Sequence, residues 1–161
     1  FNVKPGIKPT QLSEEEALRK IAYFCDTQER AVQEVTKKLS SWNCTNESQQ
    51  KIIQRLIDED RLNEERFAAA YVRGKFRIKS WGRIKIKAHL YELALSPAII
   101  NEALRQIDEE EYIQRLKAIL EKQIMLTKGE SNLRMKKVAM HAISKGYESN
   151  LVFETLKSLT K

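Results

Sequence analysis

An all-α fold made of repeated helical units is what this sequence predicts, on three observations. Apolar residues recur at helical spacing along the chain, and no run keeps the strict alternation of a half-buried strand. The five glycines and three prolines fall mostly between the periodic segments, with Gly74 the exception inside a helical pattern. Apolar positions also recur at a fixed interval. At an offset of 52, Ile86 aligns with Val138, His89 with His141, Leu90 with Ala142, Leu95 with Tyr147, Ile100 with Val152 and Leu104 with Leu156. At an offset of 51, Val35 aligns with Ile86 and Leu39 with Leu90. After a three-residue loop adjustment, Ile52 and Leu56 align with Ile100 and Leu104.

Nine helices are expected, over about 13–25, 28–42, 47–58, 63–79, 82–93, 97–107, 109–127, 131–145 and 148–159, after an N-terminal tail over 1–12 marked by Pro5, Gly6 and Pro9. The first opens at Ser13-Glu14-Glu15-Glu16, a capping box, and carries Leu18, Ile21, Ala22 and Cys25 on one face. The second ends at the turn Trp42-Asn43-Cys44. The third runs into the acidic turn Asp58-Glu59-Asp60, where Arg61 is expected to pair with the acids beside it and Arg66 with Glu64 and Glu65. The fourth places Phe67 and Tyr71 in the core. On the fifth, Ile86, Leu90 and Leu93 form the buried stripe, with Arg83 and Lys87 one turn apart on an exposed side. The seventh starts at Asp108-Glu109-Glu110-Glu111, and the eighth ends at Lys145-Gly146-Tyr147. The nine helices group as three tandem three-helix repeats over 13–60, 61–107 and 108–161, whose last two helices resemble a helix-turn-helix. One such unit buries little apolar area alone, so neighbouring units are expected to pack together.

Charge is unevenly placed. The formal net charge is +7, and 42% of residues are hydrophobic against 32% charged, enough to fold beneath a heavily solvated surface. Residues 1–60 carry nine basic and ten acidic groups, residues 61–107 ten and four, and residues 108–161 ten and eight. Within the middle third, Arg73, Lys75, Arg77, Lys79, Arg83, Lys85 and Lys87 follow one another without an acid, interleaved with Phe76 and Trp81. Lys and Arg are rarely fully buried unless paired, so such a run faces either solvent or a polyanionic partner. The candidate contact residues are these seven cations and Trp81, extended by Arg134, Lys136 and Lys137 on the equivalent helix of the third repeat. Trp81, just before Gly82, either anchors an interface beside cations or covers the junction between two helices.

Other classes find little support. Cys25 and Cys44 form no CxxC or Cys/His cluster, so no zinc or redox motif is present. Two reduced thiols are the expectation, and a disulfide between them is the alternative. No glycine-rich phosphate loop and no nucleophile with a His partner occurs, so neither a catalytic residue nor a cofactor is expected. His89 and His141 have no acids beside them and read as packing or rim positions. No apolar stretch reaches the length of a transmembrane helix, and Phe1 to Leu12 lacks the apolar region of a signal peptide. The start at Phe rather than Met suggests that a few residues were removed. A cytoplasmic monomer is the expectation.

The stretch from Leu56 to Leu95 resembles the RecX family, bacterial regulators of the RecA recombinase. The resemblance rests on Leu56-Ile57-Asp58-Glu59-Asp60-Arg61-Leu62-Asn63-Glu64-Glu65-Arg66-Phe67-Ala68, on Tyr71-Val72-Arg73, on the basic run to Trp81-Gly82, and on Ile86, Leu90 and Leu95. Lys145-Gly146-Tyr147 looks like the family's recurring Lys-Gly-apolar turn. Two departures stand out: Arg83 follows Gly82 where many members carry Pro, and Leu93-Ala94-Leu95 replaces the Lys-Gly-apolar turn. The resemblance implies an elongated, curved, all-helical array without enzymatic activity. It also implies binding to the RecA–DNA filament along its helical groove, with inhibition of recombinase, ATPase and coprotease activities. Two alternatives remain: a stand-alone DNA-binding protein with helix-turn-helix-like units, or a scaffold for an acidic protein. Against the first, the helix over 82–93 offers no Asn or Gln for adenine edges.

Overall fold

The computed structural model describes residues 11–161; the expected tail over 1–12, with Pro5, Gly6 and Pro9, lies outside the described residues except for Gln11 and Leu12. The described residues form nine helices and no strand: α1 (Glu14–Thr27), α2 (Val32–Ser41), α3 (Asn46–Asp58), α4 (Glu64–Arg77), α5 (Arg83–Glu92), α6 (Pro97–Arg105), α7 (Glu109–Leu126), α8 (Ser131–Ser144) and α9 (Ser149–Leu159). They follow as three successive triplets. In the first and third triplets each helix packs on both others; in the middle one, α5 packs on α6. The chain divides into two compact units after Phe67, inside α4.

Short polar side chains set the helix starts. Ser13 Oγ accepts from the Glu16 N–H at 3.2 Å, Thr45 Oγ1 from Ser48 at 3.2 Å, Ser96 Oγ from Ile99 at 3.3 Å and Asp108 Oδ2 from Glu111 at 2.9 Å. Each satisfies a donor that the first helical turn leaves without a partner. Pro97 adds its fixed φ at the start of α6. The largest boundary difference from the expected helices is at α2, which begins at Val32 rather than near residue 28. Arg30 turns back to donate from Nε to the Phe24 carbonyl at 3.1 Å, and the Ala31 N–H donates to the Glu34 carboxylate at 2.8 Å. Residues 28–31 are therefore a link rather than a helical turn.

The repeat seen in the sequence is a repeat of buried positions. Val35, Ile86 and Val138 are all fully buried, as are Leu39, Leu90 and Ala142. Ile52, Ile100 and Val152 fill the corresponding place on the third helix of each triplet, one turn before Leu56, Leu104 and Leu156. The turn between the last two helices is also the same three times. Asn43, Ala94 and Gly146 take positive φ of 58°, 61° and 100°. The next residue then donates back across the helix end: Cys44 to Leu39, Leu95 to Leu90 and Tyr147 to Ala142, at 3.2–3.3 Å. This is a left-handed cap that closes the helix and reverses the chain.

In the first unit, Ala17, Ile21, Cys25, Val35, Leu39, Ile52, Leu56 and Leu62 form the core. Arg61 reaches Asp26 and also Glu59, the latter at 3.2 Å. Arg66 pairs with Glu29 at 2.6 Å and Asp60 at 3.0 Å rather than with Glu64 or Glu65. Glu64 instead accepts from the Val32 N–H at 3.3 Å. Both cysteines are free thiols, Cys25 buried and Cys44 half-buried.

Candidate functional site

The basic run occupies the end of α4, the turn that follows and α5. Ser80, at φ 57°, reverses the chain, and the Trp81 N–H donates to the Lys75 carbonyl at 3.1 Å. The turn is held from the third triplet. Arg115 Nη1 donates to the Arg77 carbonyl at 3.1 Å and to Ser80 Oγ at 3.2 Å, and the Tyr147 hydroxyl donates to the Ser80 carbonyl at 3.1 Å. The start of α5 has no side-chain cap at Gly82. Its first N–H groups are satisfied by the α8–α9 turn and by Tyr112 of α7 instead. Gly82 donates to the Lys145 carbonyl at 2.8 Å, Ile84 to the Gly146 carbonyl at 2.9 Å and Arg83 to the Tyr112 hydroxyl at 3.1 Å.

Trp81 organises the face so formed. Its ring centroid lies 4.7 Å from that of His89, and the ammonium groups of Lys75 and Lys85 lie 4.8 and 4.5 Å from it. Lys75 is also 5.3 Å from the Tyr71 ring, and Lys87 is 5.9 Å from Tyr91. A cation over an aromatic face is attracted by the ring quadrupole, so Trp81 holds two lysine heads in place while leaving their charge unneutralised. Phe67 and Phe76 are buried, and Tyr71 is only half-buried. Leu93, expected on the buried stripe, is half-buried at the end of α5, leaving Ile86 and Leu90 as its buried members.

The candidate cations divide into two sets. Arg73, Lys75, Lys79, Lys85, Lys87, Lys136 and Lys137 have no carboxylate partner among the described residues. Three others are engaged within the protein. Arg83, expected on an exposed side, is mostly covered: its side chain is 28% exposed. It pairs with Glu109 and Glu148, each at 2.9 Å, and lies 3.9 Å over the Tyr112 ring. Glu148 also accepts from the Tyr112 hydroxyl at 2.8 Å, completing the network. Burial comes first in raising the Tyr112 hydroxyl pKa well above the ordinary phenol value, so Tyr112 stays a donor. Arg134 donates to the Thr127 carbonyl at 2.7 Å and to the Ile124 carbonyl, closing the C-terminal end of α7. Arg77 makes a longer contact, 3.5 Å, with Glu111.

Sequence reasoning did not find the engagement of Arg83 and Arg134, nor Arg115 as the clamp on the turn. The signal for Arg83 lay in the acids at the starts of α7 and α9, Glu109 and Glu148, but nothing in their spacing brings them to residue 83. Beside the clamp, Ser80, Arg115, Lys122, His141 and Lys145 line a groove of about 640 Å³. Burial and the Lys145 charge lower the His141 pKa, which favours the neutral ring there.

These features define a class: an all-α repeat protein with a rigidly held cationic–aromatic face. Among the described residues no group of His, Cys, Asp and Glu could hold a metal ion, and no helix is long and apolar enough to cross a membrane. Comparison with known proteins supplies the family. Residues 63–104 match the family model described as RecX, second three-helix domain. The chain is 30% identical over 143 residues to the regulatory protein RecX of Prosthecochloris aestuarii, covering 89% of this chain and 93% of that protein. It is 32% identical over 126 residues to the regulatory protein RecX of Halalkalibacterium halodurans, covering 78% of this chain but 47% of that longer protein. The chain belongs to the RecX family. In fold, it is similar to a crystal structure of RecX from Lactobacillus salivarius, with TM-score 0.83, 21% identity and coverage of 91% of this chain and 96% of that one. A crystal structure of a regulatory protein RecX gives the same TM-score at 23% identity, covering 90% of this chain and 73% of that one.

Proposed function

We propose that this protein binds the RecA–DNA filament in its helical groove and lowers recombinase, ATPase and coprotease activity, by steric and conformational control rather than by chemistry. The observation that carries the reading is the face around Trp81, where Lys75, Lys79, Lys85 and Lys87 keep unneutralised charge on a turn clamped by Arg115 and Tyr147. Membership of the RecX family supports the choice of partner. In this reading the repeats over 61–107 and 108–161 supply the contact surface, through Arg73, Lys75, Lys79, Trp81, Lys85, Lys87, Lys136 and Lys137. Arg77, Arg83 and Arg134 hold that surface in shape. The bound protein bridges recombinase subunits and opposes the conformational change coupled to ATP hydrolysis. Contact with DNA phosphates by the same lysines would make binding weaken with salt. Action in the cytoplasm as a monomer completes the proposal.

The test is single-stranded-DNA-dependent ATP hydrolysis by the cognate recombinase, with this protein titrated from substoichiometric amounts. A fall in rate well below one molecule per recombinase is expected. An unchanged rate with folded protein would overturn the reading.

A further inference from the structure

The first unit carries a second cationic–aromatic cluster, separate from the face around Trp81. Tyr23, on α1, is 74% exposed, and its neighbours Phe24 and Trp42 pack only at the edge of the core. Lys20 lies 6.0 Å and Lys38 5.9 Å from the Trp42 ring centroid. Lys38 is also 5.6 Å from the Phe24 ring, and the Arg30 guanidinium stacks on Phe24 at 3.7 Å. Between α1 and α2, Arg19, Lys20, Tyr23, Phe24, Lys38 and Trp42 line a groove of about 390 Å³. Among the described residues, Arg19, Lys20 and Lys38 have no carboxylate partner. Long cationic side chains bury their stems against apolar surface and keep their charge at the rim. The result is an aromatic floor ringed by positive charge.

We infer that this groove binds an acidic peptide segment carrying a large apolar side chain. Its apolar residue would displace water from the Tyr23, Phe24 and Trp42 surfaces, and its carboxylates would pair with Arg19, Lys20 and Lys38. Charge complementarity selects an acidic partner. The extent of the charge selects a short peptide over a nucleic acid strand. Three cations at one groove are too few to follow a phosphate backbone, and residues 1–60 as a whole carry one more acid than base. The inference does not depend on the filament reading, because none of its residues belongs to the face around Trp81.

The experiment follows amide and indole resonances of the full 15N-labelled chain during titration. The probes are a peptide of aspartates ending in Leu-Phe, the same residues with Leu-Phe first, and a short oligothymidylate. Saturable shifts at Tyr23, Thr27, Lys38 and the Trp42 indole are expected with at least one peptide. Replacing Leu-Phe by Ser-Ser, or aspartate by asparagine, should weaken binding about tenfold, as should K20E/K38E or Tyr23→Ser in the protein. These side chains lie outside the core, so the spectra of the variants should keep the dispersion of the folded chain. No saturable shift with either peptide up to about 1 mM, the weak limit for a specific contact, would overturn the inference. So would tighter binding of the oligothymidylate at the same resonances.

Discussion

The backbone of Gly82 lies directly against that of Gly146. The Gly82 N–H donates to the Lys145 carbonyl at 2.8 Å, and a Cβ on Gly82 would stand 2.3 Å from the Gly146 carbonyl carbon. Gly146 is equally restricted, because its φ of 100° and the Lys85 Cβ, 2.4 Å from an added methyl, both exclude a side chain. Two turns 64 residues apart therefore meet through backbone alone, and the contact completes the start of α5, on which Lys85 and Lys87 are displayed.

This close approach predicts that Gly82→Ala destabilises the protein by about 3 kcal/mol, the upper range of overpacking, since the clash is with backbone that cannot rotate away. Gly74→Ala is the control. Gly74 lies inside α4 with nothing within 4 Å of an added Cβ, so the substitution should stabilise by about 0.5–1 kcal/mol. Urea denaturation of the two variants measures both; equal effects would contradict the Gly82 contact.

Arg83 and its neighbouring lysines should separate by assay. Arg83→Ala removes ion pairs to Glu109 and Glu148 and the contact with Tyr112, and should cost about 2 kcal/mol of stability through lost charge-assisted hydrogen bonds. K79E/K87E alters side chains with no carboxylate partner among the described residues and should change stability by no more than about 0.5 kcal/mol. The same double variant should lose inhibition of filament ATPase at moderate salt. Retained inhibition would remove these lysines from the proposed contact surface.

Ala94 occupies a left-handed position, φ 61°, that Gly146 fills in the next triplet and Asn43 in the previous one. An alanine there bears the contact between Cβ and carbonyl oxygen that glycine avoids. Ala94→Gly should therefore stabilise by about 1 kcal/mol, measured by thermal or urea unfolding. A loss of stability would mean that the entropy of the unfolded glycine outweighs relief of strain.

Cys25 gives a pH and reactivity prediction. Burial, then the Asp26 charge, pushes its thiol pKa up to about 11. The raised folded value means that the native state keeps the proton after the unfolded chain has lost it. Its contribution is full below the ordinary value near 9 and is lost as pH rises from there to about 11. Unfolding measured across that range should show falling stability, and the fall should flatten in Cys25→Ala. Titration of the native protein with a thiol reagent at neutral pH should modify Cys44 first and Cys25 only on unfolding. Equal rates would contradict the burial of Cys25.

Residue types and spacing alone determined the nine helices among the described residues, the cap at Ser13, the acidic helix start at Asp108, and the repeated apolar series Val35, Ile86 and Val138. These features are local or periodic: a cap acts over three residues, and a helix shows its inner face every three or four. The same logic located the basic run and its likeness to RecX. The tertiary structure alone decided which cations remain without a carboxylate partner among the described residues. Whether Arg83 is available depends on acids 26 and 65 positions away, and whether the α4–α5 turn is rigid depends on Arg115 and Tyr147 reaching it from the third triplet. Electrostatic partnership is set by distance in space, and no local pattern carries that distance. Gly82 shows the same division: the sequence marks it as a turn residue, and only the fold brings the Gly146 backbone close enough to exclude a methyl group.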